Sequence, residues 1–229
     1  MHPHLELVLA MSGFVGSHFL LSWPPLRRWL VGRLGAGAFT AVYALIASIT
    51  LVWAVRAYAA APYEELWQLG ELGRWVPHAI MPLACILVVC GLLARNPTAV
   101  GGERLIRDGV RPQGIFTVTR HPFLWGTGLW ALSHLAANGD IAAILLFGGM
   151  AVLSFGGMLA IDHKRAVALG PAWSTLRGQS SRIPFLAALQ GRVSVDWRGI
   201  GWWRPALGLA LHVALMHGHV ALFGVPAMG

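Results

Sequence analysis

Residues 119–140 read TRHPFLWGTGLWALSHLAANGD. The stretch opens on Arg120, His121 and Pro122, then carries no charged side chain until Asp140, yet a second imidazole, His134, sits inside its apolar run. That composition describes a lipid-soluble helix. An ionisable side chain at such depth faces the bundle interior and serves a function, or it bonds across helices to a hydroxyl or carbonyl. The problem the sequence sets is what these imidazoles do.

The rest of the chain is built to the same plan. Of its 229 residues, 56% are hydrophobic and 11% charged, with a mean hydropathy of +0.63. A soluble domain carries about 25% charged residues. Eleven tryptophans suit a protein with two water–lipid interfaces to line. The expectation is an all-α polytopic membrane bundle, one domain over residues 1–229. Six apolar segments mark its spans: 4–23, 39–60, 76–94, 122–137, 141–161 and 205–223. The fourth is short for a crossing, which takes about 20 residues. Pro24-Pro25 ends the first span, Pro77 and Pro82 mark the start of the third, and Pro122 fits the first helical turn of the fourth. Asn138-Gly139 closes the fourth, so the fourth and fifth form a tight hairpin. The amino terminus lacks the basic n-region and cleavage site of a signal peptide, so its apolar run is expected to be retained. Cys85 and Cys90 point in different directions on one helix and read as small core residues.

The +8 net charge does not indicate nucleic acid, because its carriers lie between apolar runs. Fifteen of the 17 Lys and Arg residues fall in three loops, 23–38, 95–121 and 162–204. Glu64, Glu65, Glu71 and Asp140 lie in the opposite loops. The positive-inside rule then puts the basic loops in the cytoplasm and both termini outside.

Ten histidines are present. His2 and His4 are terminal and expected to be solvated. His163 suits a helix end. His78, His212, His217 and His219 lie toward the outer ends of their spans and read as interfacial or structural. His18 sits among Gly13, Gly16 and Ser17, small residues that admit a neighbouring helix or a flat ligand. His134 lies about three turns into its span. His121 is 13 positions earlier, roughly 220° around the helix at ~100° per residue, so one helix carries two separate imidazole sites.

GIFTVTRHPFLWGTGLWALSHLAANGD, FVGSHFLLSWPPLRRWLVGRLG and DHKRAVALGPAWSTLRGQSSRIPF together resemble the NnrU family, whose relatives include the 15-cis-zeta-carotene isomerases of plants and cyanobacteria. The likeness runs to about residue 190. It implies a haem b protein with two axial histidines, by position His18 and His134, and a secondary role for Arg120 and His121. Arg120 would pair with a haem propionate or an anionic lipid head. Ala131 stands where the plant enzymes have a cysteine, so no thiolate ligand is implied. His18 lies about 9 Å above the inner end of its span and His134 about 18 Å above its own, at ~1.5 Å per residue. If that offset is not taken up by tilt, His78 or His212 becomes the partner instead, with His217 and His219 as further candidates. The implied roles are isomerisation of an apolar polyene, a redox or nitric-oxide-linked part in denitrification, or haem binding for another membrane complex. Membrane lipid and an apolar small molecule are the expected partners, a bacterial inner membrane the expected location, and no protein partner is specified.

Gly114, Arg120, His121, Pro122 and Gly126 also resemble the membrane methyltransferases of isoprenylcysteine and phospholipids, which implies S-adenosylmethionine as the alternative cofactor. Ile115, Phe116, Leu124 and the Asp162-His163 pair depart from that pattern, removing acceptors for the cofactor's ribose and amine.

Overall fold

The computed structural model describes residues 4–98 and 101–227 and is all-helical. No strand occurs among those residues, only an isolated bridge between Glu65 and Asp140. The helices are α1 (Leu5–Ser22), α2 (Pro24–Leu34), α3 (Ala36–Ala60), α4 (Gly70–Leu93), α5 (Glu103–Arg107), α6 (Pro122–Ala137), α7 (Ile141–Leu169), α8 (Pro171–Gly178), α9 (Leu186–Leu189), α10 (Trp197–Ile200) and α11 (Trp203–Phe223). Five of them, α1, α3, α4, α7 and α11, are long and apolar enough to cross a membrane. The chain is a helical membrane protein.

The expected fourth span, α6, has the bounds read from the sequence, but its 16 residues rise only about 24 Å, short of a hydrocarbon core of about 30 Å. The third span begins earlier than expected, at Gly70, so Pro77 and Pro82 lie inside α4. Membrane helices tolerate such prolines because neighbouring groups satisfy the freed carbonyls. Pro24-Pro25 does end α1, but it also opens α2, occupying positions where a missing N–H is harmless. The fifth span runs past residue 161 to Leu169, where Gly170 at φ +49 and Pro171 stop it.

The helices group into two compact units, Met1–Val76 with Ala131–Ala160, and Pro77–Trp130 with Ile161–Gly229. In the first, Leu7, Ala10, Met11 and Phe14 of α1 form a core with Ala54 and Ala57 of α3 and Ala142 of α7. Parallel packing of α1 on α7 is set by two glycines: a Cβ at Gly149 would strike the Met11 methyl, and one at Gly156 the Phe19 ring. The turn after α6 is clasped by the segment before α4. The N–H groups of Leu66 and Trp67 donate to the Gly139 carbonyl at 2.7 and 3.1 Å, and Asp140 caps α7 by accepting from Ala143 N–H at 3.0 Å. His4 is buried in this clasp with its Nε2 3.2 Å from Glu64, contrary to its expected solvation. The acidic loop supplies a carboxylate that a free terminus would lack. His2 lies outside the described residues.

In the second unit, Ala84, Val88 and Gly91 of α4 face Phe123 and Gly126 of α6, while Gly208 of α11 approaches Ile86. Cys85 and Cys90 are buried free thiols here, as expected of core residues. The basic loops contain α5 and α8–α10 and fold on themselves. Asp196 caps α10 through Gly199 N–H at 2.8 Å and also accepts from Gly114 N–H at 2.9 Å. These two amides hold its carboxyl below the ordinary range. Gly114 has φ +54, and a Cβ there would stand 2.6 Å from the Gly199 carbonyl oxygen.

The α4–α6 contact gives a test. A Cβ at Gly126 would stand 2.6 Å from the Ala84 carbonyl oxygen and 2.9 Å from the Val88 nitrogen. Both are backbone atoms that cannot turn aside. Gly126→Ala should therefore destabilise the protein by about 1–3 kcal/mol, as overpacking does. Thermal unfolding in detergent measures it, and an unchanged midpoint would refute this packing.

Candidate functional site

The RHP residues form a polar centre in the second unit. A short 3₁₀ turn, Gly114–Thr117, is buried with Ile115, Phe116 and Val118, which fixes the backbone just before the motif. Thr119 Oγ1 then donates to the Arg182 carbonyl at 2.7 Å and Arg120 N–H to the Ser181 carbonyl at 2.9 Å. The side chains of Arg120 and His121, 5% and 1% exposed, turn onto one carboxylate, Asp162 of α7. Arg120 reaches it through Nε at 3.0 Å and Nη2 at 2.5 Å, a two-point guanidinium clamp. The His121 Nε2 lies 2.8 Å from the same group. A second guanidinium, Arg182, approaches at 3.0 Å. Trp173 covers Arg120, its ring 5.8 Å from the guanidinium carbon.

Burial pushes the His121 imidazole below its ordinary value, and the hydrogen bond to Asp162 only partly offsets this. The ring is therefore neutral near pH 7 and donates from Nε2. Its Nδ1 lone pair is buried with no hydrogen-bond partner among the described residues. A histidine oriented by a carboxylate is the arrangement of a general base. The ring also lines a cavity of about 650 Å³ whose walls are mostly apolar, including Leu92, Phe123, Leu124 and Ile161. That volume suits a small-molecule ligand.

His18 and His134 both belong to the first unit. His18 Nδ1 donates to the Phe14 carbonyl at 2.7 Å, and its ring lies edge-on to Phe14 and to Tyr43 of α3, with centroids 4.6 and 5.5 Å apart. No hydrogen bond to its Nε2 occurs among the described residues. Donation from one ring nitrogen to a backbone carbonyl is how metal-ligating histidines are usually held, so the chemistry of His18 fits a metal-holding imidazole. His134 packs on Phe147, centroids 5.2 Å apart, within a π-helical segment of α7, Ile144–Gly148. Its Nδ1 is 3.4 Å from Ser133 Oγ. Phe19, next to His18, meets α7 at Gly156. Val15, three residues before His18, meets α7 at Gly149, two residues past Phe147, so the His18 ring, tied back toward Phe14, and the His134 ring pack against neighbouring turns of α7.

The remaining histidines divide. His212 of α11 and His78 of α4 lie in the same unit, within electrostatic reach of each other. His219 bonds to the Val225 carbonyl at 2.7 Å and packs on Phe223, a C-terminal lock. No group of three or more His, Cys, Asp or Glu side chains is placed to hold a metal ion among the described residues. Arg120 is committed to Asp162 rather than open to a propionate, a lipid head or the carboxylate of S-adenosylmethionine, because the chain supplies its own buried anion. Sequence reasoning missed Arg182 and Trp173 and left Asp162 unpartnered. The signal was present: Asp162 and Asp196 are the two acids in a stretch with seven basic residues.

Against this geometry, the NnrU protein family matches over residues 6–227. The chain belongs to the NnrU family. Its likeness to the chloroplast 15-cis-zeta-carotene isomerase of Zea mays is 30% identity over 79 residues, which is 34% of the NnrU chain and 22% of the maize protein. The match thus spans under a quarter of that relative's length. No solved structure matches the NnrU chain.

Two outcomes follow for this NnrU site. Asp162→Asn removes the one negative charge from between two guanidiniums, and should destabilise the protein by about 3–5 kcal/mol, as loss of a buried ion-pair partner does. Denaturant titration reads this. His121 faces Asp162, Arg120 and Arg182, and its folded-state pKa lies below the unfolded value of about 6.5. Its contribution to stability is whole above that pH and is lost as pH falls through the folded-state value. Unfolding midpoints should therefore drop on acidification below about pH 6.5, and drop less in His121→Asn. Equal slopes would rule out a neutral buried imidazole.

Proposed function

We propose that this chain is a haem b-binding protein of the isomerase class, acting on an apolar polyene. The observation that carries the reading is His18, whose Nδ1 is tied to the Phe14 carbonyl at 2.7 Å while Nε2 keeps its lone pair. The Phe14 and Tyr43 rings restrict the imidazole from two sides, so its orientation is set before any ligand arrives. Held by His18, haem would supply an iron able to polarise a conjugated substrate. His134, the second ligand implied by resemblance, packs beside the π-helical segment. The local likeness to the maize isomerase favours an apolar small molecule. On the same reading the membrane is a bacterial inner membrane, and the distribution of Arg and Lys favours periplasmic termini.

Spectra of protein produced with adequate haem test this. The wild type should show a Soret band and His18→Ala should lose it. Loss of the band in His134→Ala as well would support the bis-histidine pair, and its retention a single axial histidine. A colourless wild type would end the haem reading. Nitric oxide binding to the reduced protein, without turnover of a polyene, would replace isomerisation with a role in gas sensing or denitrification.

A further inference from the structure

A second cavity in the Pro77–Trp130 and Ile161–Gly229 unit, about 710 Å³ in volume, is lined by four guanidiniums, those of Arg120, Arg177, Arg182 and Arg192. Their free donors are unequal. Arg120 is taken up by Asp162 and the Ser180 carbonyl. Arg192 uses Nη1 to cap the end of α8, bonding the carbonyls of Arg177, Gly178 and Ser180 at 3.1, 2.7 and 3.0 Å. Its Nη2 makes no hydrogen bond among the described residues. The same is true of both terminal nitrogens of Arg182 and of the whole Arg177 head group. One carboxylate, Asp162, stands against these four cations, so the cavity keeps a strong positive excess.

The rim is apolar. Ile183 is 57% exposed and Leu189 83% exposed. Phe185 is the one non-glycine residue with positive φ among the described residues, at +61. Its N–H is held to the Val118 carbonyl at 2.8 Å, and its ring turns outward beside Trp197, centroids 6.4 Å apart. A strained backbone that presents an aromatic ring to the surroundings is a place to look for function, and aromatic rings suit the headgroup level of a bilayer. A guanidinium-lined floor under an apolar lip matches an amphiphile with an anionic head.

We infer that this cavity seats the phosphate headgroup of an anionic membrane lipid against Arg177, Arg182 and Arg192, with the acyl chains leaving over Ile183, Phe185 and Leu189. The site is independent of haem and of His18.

The test uses the full-length protein in neutral detergent, stripped of lipid and titrated under native mass spectrometry with phosphatidylglycerol, phosphatidylcholine or inorganic phosphate. Phosphatidylglycerol should be retained about tenfold more tightly than phosphatidylcholine. Arg177→Gln combined with Arg182→Gln should abolish that preference, while the Lys pair at the same positions should keep it. Arg177→Gln alone should lower it, and because that head group makes no hydrogen bond among the described residues, this variant reads the site even if the double variant fails to fold. Arginine-dependent retention of inorganic phosphate without lipid discrimination would overturn the lipid in favour of a soluble phosphate. Equal binding of both lipids, or a preference unchanged in Arg177→Gln and the double Gln variant, would overturn the site altogether.

Discussion

The Asp162 carboxylate is the interaction on which the second unit depends. It is the one negative charge among Arg120, Arg182 and a neutral His121, and it is nearly buried. Remove it and two guanidiniums face each other with little water to screen them. Its position joins parts of the chain that no local pattern connects: the RHP turn, the polar end of α7, and the segment after α8. The hydrogen bonds from Thr119 and Arg120 to the 181–182 carbonyls follow from that closure, and so does the seat of Trp173 over Arg120. The RHP motif is thus a structural keystone as well as a candidate site.

The first unit rests on a different balance. Its core is made of alanines and a few large side chains, with glycines at the α1–α7 contact, so the helices approach closely through apolar surfaces. Small residues drive such packing where lipid is as apolar as the side chains. His18 and His134 are tolerated there because each finds a local polar partner, Phe14 O for one and Ser133 for the other. A ring already oriented by its own helix needs no rearrangement to accept a ligand.

Much of this was legible in the sequence, for reasons specific to each element. The bounds of the fourth apolar segment were readable because Pro122 and Asn138-Gly139 are strong local punctuation. Pro77 and Pro82 misled, since in a membrane helix a proline need not mark an end. The helices inside the basic loops were hidden by composition, as charge implied solvated loops while Glu103, Asp162 and Asp196 were forming internal contacts. The candidate ligands could be named from their placement among apolar residues, but their relative depth could not. That required knowing that α1 and α7 run parallel and touch at Gly149 and Gly156.

The brevity of α6 bears on the surrounding lipid. A rod of about 24 Å beside a hydrocarbon layer of about 30 Å leaves some 6 Å of mismatch, and Leu132 on its surface is 46% exposed. Acyl chains at that face must shorten, or polar heads must dip to meet its ends, at a fraction of a kcal/mol per Å. The mismatch is local, because α3, α4 and α7, at 25, 24 and 29 residues, are long enough for the full hydrocarbon thickness, and the strain of meeting a shorter neighbour falls on the lipid beside α6.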